Sequence, residues 1–328
     1  MAARANRRAW RVRRLIAVLV VAALAAPGTW LRSAPRPFTP DDILIERIAG
    51  ARTSESPQWR LDGVWHYAAQ NRRFGGYSAL LALSGDRLVA FSDRGSRFAF
   101  SPPVPNGGSG ESARQVTRQR VEDGYRGALW DIESATRDPA TGRYWLGYEY
   151  THAIARFSAD HRFEGVRMLA PEVPWSRNAG LEALLRLSDG RFVAIPEGRD
   201  TALLFARDPV EGVAAQEVPF VSPAPGFAVT DMAELPDGRV LLLMRQVVWD
   251  VPSFDSLIAI ADPPRPGEDW HASLALDLSG LVPRDNYEGI TVVAQGPGEL
   301  AVWVIADDNM SVFQRSLLVR LLFDPAAP

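Results

Sequence analysis

Carboxylates recur along this chain at the two ends of short apolar hairpins, and its candidate chemistry lies there. Residues 178–198, NAGLEALLRLSDGRFVAIPEG, place Glu182 before one apolar run and Glu197 after the next. Ser188, Asp189, Gly190 and Arg191 lie between the runs, a turn signature in which Gly supplies a positive φ. Four further stretches vary the theme. Ser78 and Asp93 flank the first, Asp131, Glu133 and Glu149 the second; Asp231, Glu234 and Arg245 flank the fourth, and Glu288, Asp307 and Asp308 the fifth. Carboxylates brought together in a poorly solvated funnel must take up protons or capture a cation. An all-oxygen donor set suits Ca²⁺, which can bind a phosphate oxygen and activate water. Arg245 or Arg94 would take the remaining anionic charge.

The elements that must position these acids follow from the repeat itself. Positions 78, 133, 182, 231 and 288 stand about fifty residues apart, and each repeat carries strand-like runs. That period predicts an all-β fold, a β-propeller with one four-stranded blade per repeat. TALLFAR and AQEVPFV supply further strands after Glu197, and SLIAIAD and ASLALDL after Arg245. ILIERIAG from Ile43 and VWHYAA from Val64 are N-terminal strand candidates, and SLLVRLLF, Ser316 to Phe323, is the strand expected to close the ring with them. Five blades are countable, and a degenerate sixth in the N-terminal segment stays open. The first strand of each blade lines the channel of a propeller, so Glu133, Glu182, Asp231 and Glu288 are expected to face a common axis.

The chain begins with six arginines in its first fourteen residues, followed by the apolar run Leu15 to Ala26. Such a basic and then apolar start reads as a signal peptide or an N-terminal anchor over residues 1–26, with export to the periplasm or outside the cell. Arg pairs at 7–8 and 13–14 leave a twin-arginine route open. Residues 27–42 read as a linker and 43–328 as one propeller domain. Residues 101–113, which contain PPVPNGGSGES, read as a surface loop.

Composition removes several chemistries. The chain has no cysteine, hence neither disulfides nor thiolate metal sites, and no lysine, hence no P-loop, Schiff-base or Ser-Lys chemistry. The net charge of −3 includes the basic start, so the remainder is more acidic, and nucleic-acid binding is not expected. His66, His152, His161 and His271 show no zinc spacing and read as packing or surface residues. Ser78 and Ser109 lack the setting of a nucleophile elbow.

NAGLEAL, FSDRG, NYEG and IADDN, in this order and framed by DGR turns, resemble the phytase-like family described as esterase-like activity of phytase. The resemblance spans about Arg73 to Phe323 and implies an exported β-propeller hydrolase of phosphoesters with an acidic site. Carried onto this chain, it marks Glu182, Glu288, Asp307 and Arg245 as the catalytic group. Asp93, Glu133, Glu197, Asp231, Asp308 and Asn309 become the metal ligands, with Ca²⁺ the expected ion. Arg245 departs from the other repeats, which place an acid after the turn. The expected partner is a small phosphoester substrate, on a monomer that meets no membrane beyond any N-terminal anchor.

Each motif also has a structural reading. The DGR turns occur in any β protein, and the acids of FSDRG, NYEG and NAGLEAL can instead bond backbone amides. Trp130, Trp145, Trp249, Trp270 and Trp303 read as packing between blades. Two alternatives to the phosphoesterase therefore stand: a non-catalytic binding or scaffold propeller, and a Ca²⁺-dependent propeller hydrolase of the lactonase type.

Overall fold

The computed structural model describes residues 13–21, 43–50, 52–54, 56–103, 115–169, 173, 175, 180–249, 254–296, 298–311 and 313–327. The linker, residues 104–113 of the expected surface loop and Asn178 lie outside them, as do all but nine residues of the expected leader. Residues 1–38 and 39–328 separate into two units. In the first, residues 13–21 form a helix. No helix among the described residues is long and apolar enough to cross a membrane.

The second unit is a five-bladed β-propeller, each blade an antiparallel meander. Blade 1 runs through Tyr77–Ala82, Leu88–Ser92, Ser96–Phe100 and Gln115–Arg118. Blade 2 uses Ile132–Arg137, Tyr144–Tyr148, Ala153–Phe157 and Phe163–Met168. Blade 3 uses Leu181–Arg186, Phe192–Pro196, Thr201–Phe205 and Ala215–Val221, and Trp270–His271 adds a short parallel strand to its edge. Blade 4 uses Ala228–Glu234, Val240–Val247, Phe254–Ala261 and Ser273–Asp277. Blade 5 begins with Asn286–Ala294, Leu300–Asp307 and Ser316–Phe323. The five first strands touch one another in a closed circle, blade 1 to blade 2 and on to blade 5, which again meets blade 1.

The N-terminal strands complete blade 5 instead of forming a sixth. Trp59–Ala69 pairs antiparallel with Ser316–Phe323, from Ser316 opposite Tyr67 to Phe323 opposite Trp59, and Ile43–Ala49 adds outside it. Trp59 stacks on Phe323 at 4.3 Å, and Arg320 bonds Asp62 at 2.9 Å while lying over Trp303. Pairing the two chain ends within one blade latches the ring, and the outermost strand of each blade remains a short sheet edge.

The unbroken apolar second strands follow from blade stacking. In VLLLM, Leu241 and Leu243 face blade 5 with Val302 and Val304, whereas Val240, Leu242 and Met244 face blade 3 with Val193 and Ile195. A strand buried on both faces cannot alternate with polar residues. The remaining three interfaces have clusters of the same kind. Trp145, Trp270 and Trp303 are buried in these cores. Trp130 and Trp249 are exposed and correct the expectation that all five tryptophans pack between blades. The DGR turns are structural: Gly190 and Gly238 have φ of 90° and 88°, and Asp189 and Asp237 each accept the amide and the guanidinium of the following arginine.

Candidate functional site

Register, read strand by strand, defines the site. The first hairpins of the blades pair Tyr77 with Ser92, Ile132 with Tyr148, Leu181 with Pro196, Val229 with Met244 and Tyr287 with Ala306. In every blade the next residue of the first strand is skipped by the ladder, a β-bulge at Ser78, Glu133, Glu182, Thr230 and Glu288. A bulged residue has no cross-strand partner and is re-aimed out of the regular alternation. One step towards the open end of the hairpin, Gly76, Asp131, Gly180, Ala228 and Asn286 stand against Asp93, Glu149, Glu197, Arg245 and Asp307. Backbone bonds fix the facing pairs in blades 1, 2 and 3: Asp93 N–H to Gly76 at 2.9 Å, Glu149 N–H to Asp131 at 3.1 Å, Glu197 N–H to Gly180 at 2.9 Å.

This register moves Asp231 out of the set. Thr230, not Asp231, stands where Glu133, Glu182 and Glu288 stand. A shift of one residue along a strand sends the side chain to the other face. The buried Asp231 carboxylate accepts the amides of Met232 and Ile290, both at 2.8 Å, and bonds the backbone at Leu80. It thereby ties the inner strands of blades 4, 5 and 1 together. Burial pushes its pKa well above the carboxylate range against those amide bonds.

The bulge acids and the hairpin-end acids form one electrostatic cluster. Burial raises Glu133 strongly, and the charges of Glu182, Glu288, Asp131 and Asp93 raise it further. Glu182 is likewise pushed up by burial and by Glu288, while Arg245 opposes the shift. Burial and then Glu288 raise Asp307. Asp93 is pushed up to about 6 by burial, against a bond from Ser92, and Glu149 to about 7 by burial, Asp131 and Glu197. Asp131 is raised by burial too. Into this cluster projects Arg245, whose guanidinium bonds both Glu288 and the Asn286 side chain; Asn286 in turn donates to Glu288 at 2.7 Å. Burial disfavours the arginine's charge, but Glu288, Glu182, Glu197 and Asp307 together hold it more firmly protonated than usual.

Among the described residues, two sets of three carboxylates come close enough to share an ion. Asp131, Glu133 and Glu149 form one, and Glu149, Glu182 and Glu197 the other, each with oxygens within 4.8 Å of one another. Asp131, Glu149 and Asn286 are absent from the site set expected from sequence; Glu149 occupies the register position of Asp93, Glu197, Arg245 and Asp307, while Asp131 and Asn286 face that level across their hairpins. Asp308 and Asn309 lie beside the cluster with other work to do. Asp308 accepts the amides of Gly76 and Met310, both at 3.0 Å, and the Ser316 hydroxyl at 3.0 Å, tying blade 5 to blade 1. Asn309, in a turn with φ of 45°, contributes its amide to Asp307 at 2.7 Å.

The family model for phytase-like proteins, described as esterase-like activity of phytase, matches residues 72–310, the span that carries every acid of this cluster. The chain belongs to that family. No curated protein sequence matches it. Among solved structures, luciferin-regenerating enzyme aligns at 13% identity and a TM-score of 0.46, covering 87% of this chain and 98% of that one. A nidogen/laminin complex aligns at 10% identity and 0.43, covering 80% and 94%.

The donor chemistry of this phytase-like centre fits a hard divalent cation. The candidate ligand atoms are all carboxylate oxygens, from blade 2 in one set and from blades 2 and 3 in the other, and Ca²⁺ accepts many such oxygens in adaptable geometry. Glu149 belongs to both sets and is the residue on which a bound ion would most depend.

Proposed function

We propose that this protein is a metal-dependent phosphoester hydrolase whose acidic centre holds Ca²⁺. The observation that carries the reading is the convergence of carboxylates from blades 1, 2, 3 and 5 around one fixed arginine, with two three-carboxylate sets sharing Glu149. Glu133, Glu149, Asp131 and Glu197 would hold the ion, with Glu182 beside them. Bound there, it supplies positive charge against a phosphoryl oxygen and makes water more acidic.

The chain's own groups then have distinct parts. Arg245, fixed by Glu288 and Asn286, presents a permanent charge that cannot be lost at physiological pH and orients an anionic phosphoryl group. Glu182, whose carboxyl is held protonated by burial and by Glu288, can deliver that proton to a departing alkoxide. Asp308 and Asp231 keep the blades in register around the site and leave the chemistry to the bulge acids. The arginine-rich start and its apolar run support an exported protein working outside the cytoplasm.

The test is hydrolysis of a phosphomonoester and phosphodiester panel by chelator-stripped protein, with and without added Ca²⁺, alongside metal analysis of the purified protein. Turnover that needs the cation supports the reading. Absence of turnover on every member, with Ca²⁺ bound, leaves the scaffold alternative standing.

A further inference from the structure

Beside the acidic cluster lies a feature the chemistry above leaves unused. Trp130 immediately precedes Asp131, and Tyr150 immediately follows Glu149. Because Glu149 N–H bonds the Asp131 carbonyl, the two rings emerge side by side from facing strand ends, with centroids 6.0 Å apart and planes tilted by 41°. Their exposures are 42% and 43%, whereas Trp145, Trp270 and Trp303 are almost wholly buried.

The backbone segments that carry the two rings are tied together. Thr151 Oγ1 donates to the Ala128 carbonyl at 3.1 Å, a second tie between the two segments. Leu129 is buried in the core between blades 1 and 2, and its amide bonds the Tyr125 carbonyl at 2.9 Å. A Cβ on Gly95 would lie 3.2 Å from the Trp130 carbonyl, so Trp130 also abuts the blade 1 loop that carries Asp93 and Arg94. Two large rings on anchored backbone, left half in water and one residue from acids of the carboxylate sets, have the properties of a stacking surface for a ligand.

We propose that Trp130 and Tyr150 form a subsite for an aromatic ring carried by the phosphoester, and so select aryl-bearing over small alkyl substrates. This rests on the phosphoester reading of the acidic centre. A phosphoryl group held at the blade 2 acids leaves its substituent beside the residues that flank those acids in the chain, Trp130 and Tyr150. Neither side chain touches the reacting atoms; both act on affinity and specificity.

The test is calorimetric titration of the full, Ca²⁺-loaded protein with phenylphosphonate and with methylphosphonate, anions that share a head group and differ in the ring. Phenylphosphonate is expected to bind the parent about tenfold tighter, the scale of one good aromatic contact. Trp130→Ala, and separately Tyr150→Ala, should erase most of that preference and leave methylphosphonate affinity unchanged, whereas Trp249→Ala, at an exposed tryptophan on blade 4, should leave the preference intact. Equal affinity of the parent for the two phosphonates overturns the subsite and spares the phosphoester reading. A preference that survives in both the Trp130 and Tyr150 variants also overturns it. Binding of neither phosphonate by the parent overturns the phosphoester reading and the subsite with it.

Discussion

Gly180 and Glu149 meet so closely that a Cβ on the glycine would sit 2.3 Å from the Glu149 Cα. No rotamer change relieves a contact with backbone. Gly180 therefore has to lack a side chain if the acid shared by both carboxylate sets is to stand where it does. Gly180→Ala is expected to destabilise the protein by about 1–3 kcal/mol, the scale of core overpacking. It should also weaken Ca²⁺ binding at least tenfold, although no ligand is altered. Calorimetric melting and calcium titration of the variant check both effects; unchanged calcium affinity would mean that Glu149 is not a ligand.

Ca²⁺ should stabilise the native protein by mass action, by about 2.7 kcal/mol at a hundredfold excess over Kd. Glu149→Gln should lose most of that gain, since it removes an oxygen anion from both sets at once. Asp93→Asn, outside both sets, should retain it. The comparison is read as the difference in melting temperature with and without Ca²⁺ for each variant.

The metal-free protein is expected to lose stability as pH rises from about 4.5 towards 7. Glu149 and Asp93, pushed up to about 7 and about 6, bind protons in the folded state that the unfolded chain has already released. More protons on the native state means that unfolding becomes easier with rising pH through that window. Saturating Ca²⁺ should reverse the trend, because the ion binds the deprotonated site. Melting curves at several pH values, with chelator and with Ca²⁺, provide the measurement.

Asp231 gives the clearest separation between scaffold and site. Asp231→Ala strands the amides of Ile290 and Met232 inside the propeller, at a cost of about 1–3 kcal/mol for each buried group. The melting temperature should fall by several degrees while calcium affinity per folded molecule stays as in the parent. Loss of calcium binding by folded Asp231→Ala would return this acid to the ligand set.

The same residue shows where legibility ended. The hairpins, the fifty-residue period and the closing strand Ser316–Phe323 could be read directly, because each depends on local pattern and turn chemistry. The bulges could not. Each adds one unpaired residue, and in blade 4 an acid happens to follow Thr230, so aligning acids by type selected a position one step out of frame. Glu149 and Asp131 were visible as hairpin ends, but only the pairing of Ile132 with Tyr148 shows that they share the level of Asp93, Glu197 and Asp307. In IADDN, the neighbours Asp307 and Asp308 look interchangeable, yet alternation along the strand end gives one to the cluster and the other to the Gly76 amide.

Arg245 provides the sharpest division between an anion-binding part and a merely neutralising one. Replacing it by Met removes the partner of a buried Glu288 and leaves Asn286 with one bond fewer. Breaking a buried pair in this way costs about 3–5 kcal/mol, so the metal-free variant should melt well below the parent. With one positive charge gone from the acidic ring, the Ca²⁺-induced rise in melting temperature should grow, because the cation now relieves more repulsion. If Arg245 also orients a phosphoryl group, turnover should fall about a hundredfold even in the calcium-saturated variant, in line with loss of a preorganised charge. Glu182→Gln, which removes the proton donor but keeps the arginine, should lower turnover by a similar factor without the loss of metal-free stability. Rates and melting temperatures of the two variants, each with and without Ca²⁺, read these effects separately. Full turnover in calcium-saturated Arg245→Met would confine the arginine to charge balance and leave substrate orientation to the ion alone.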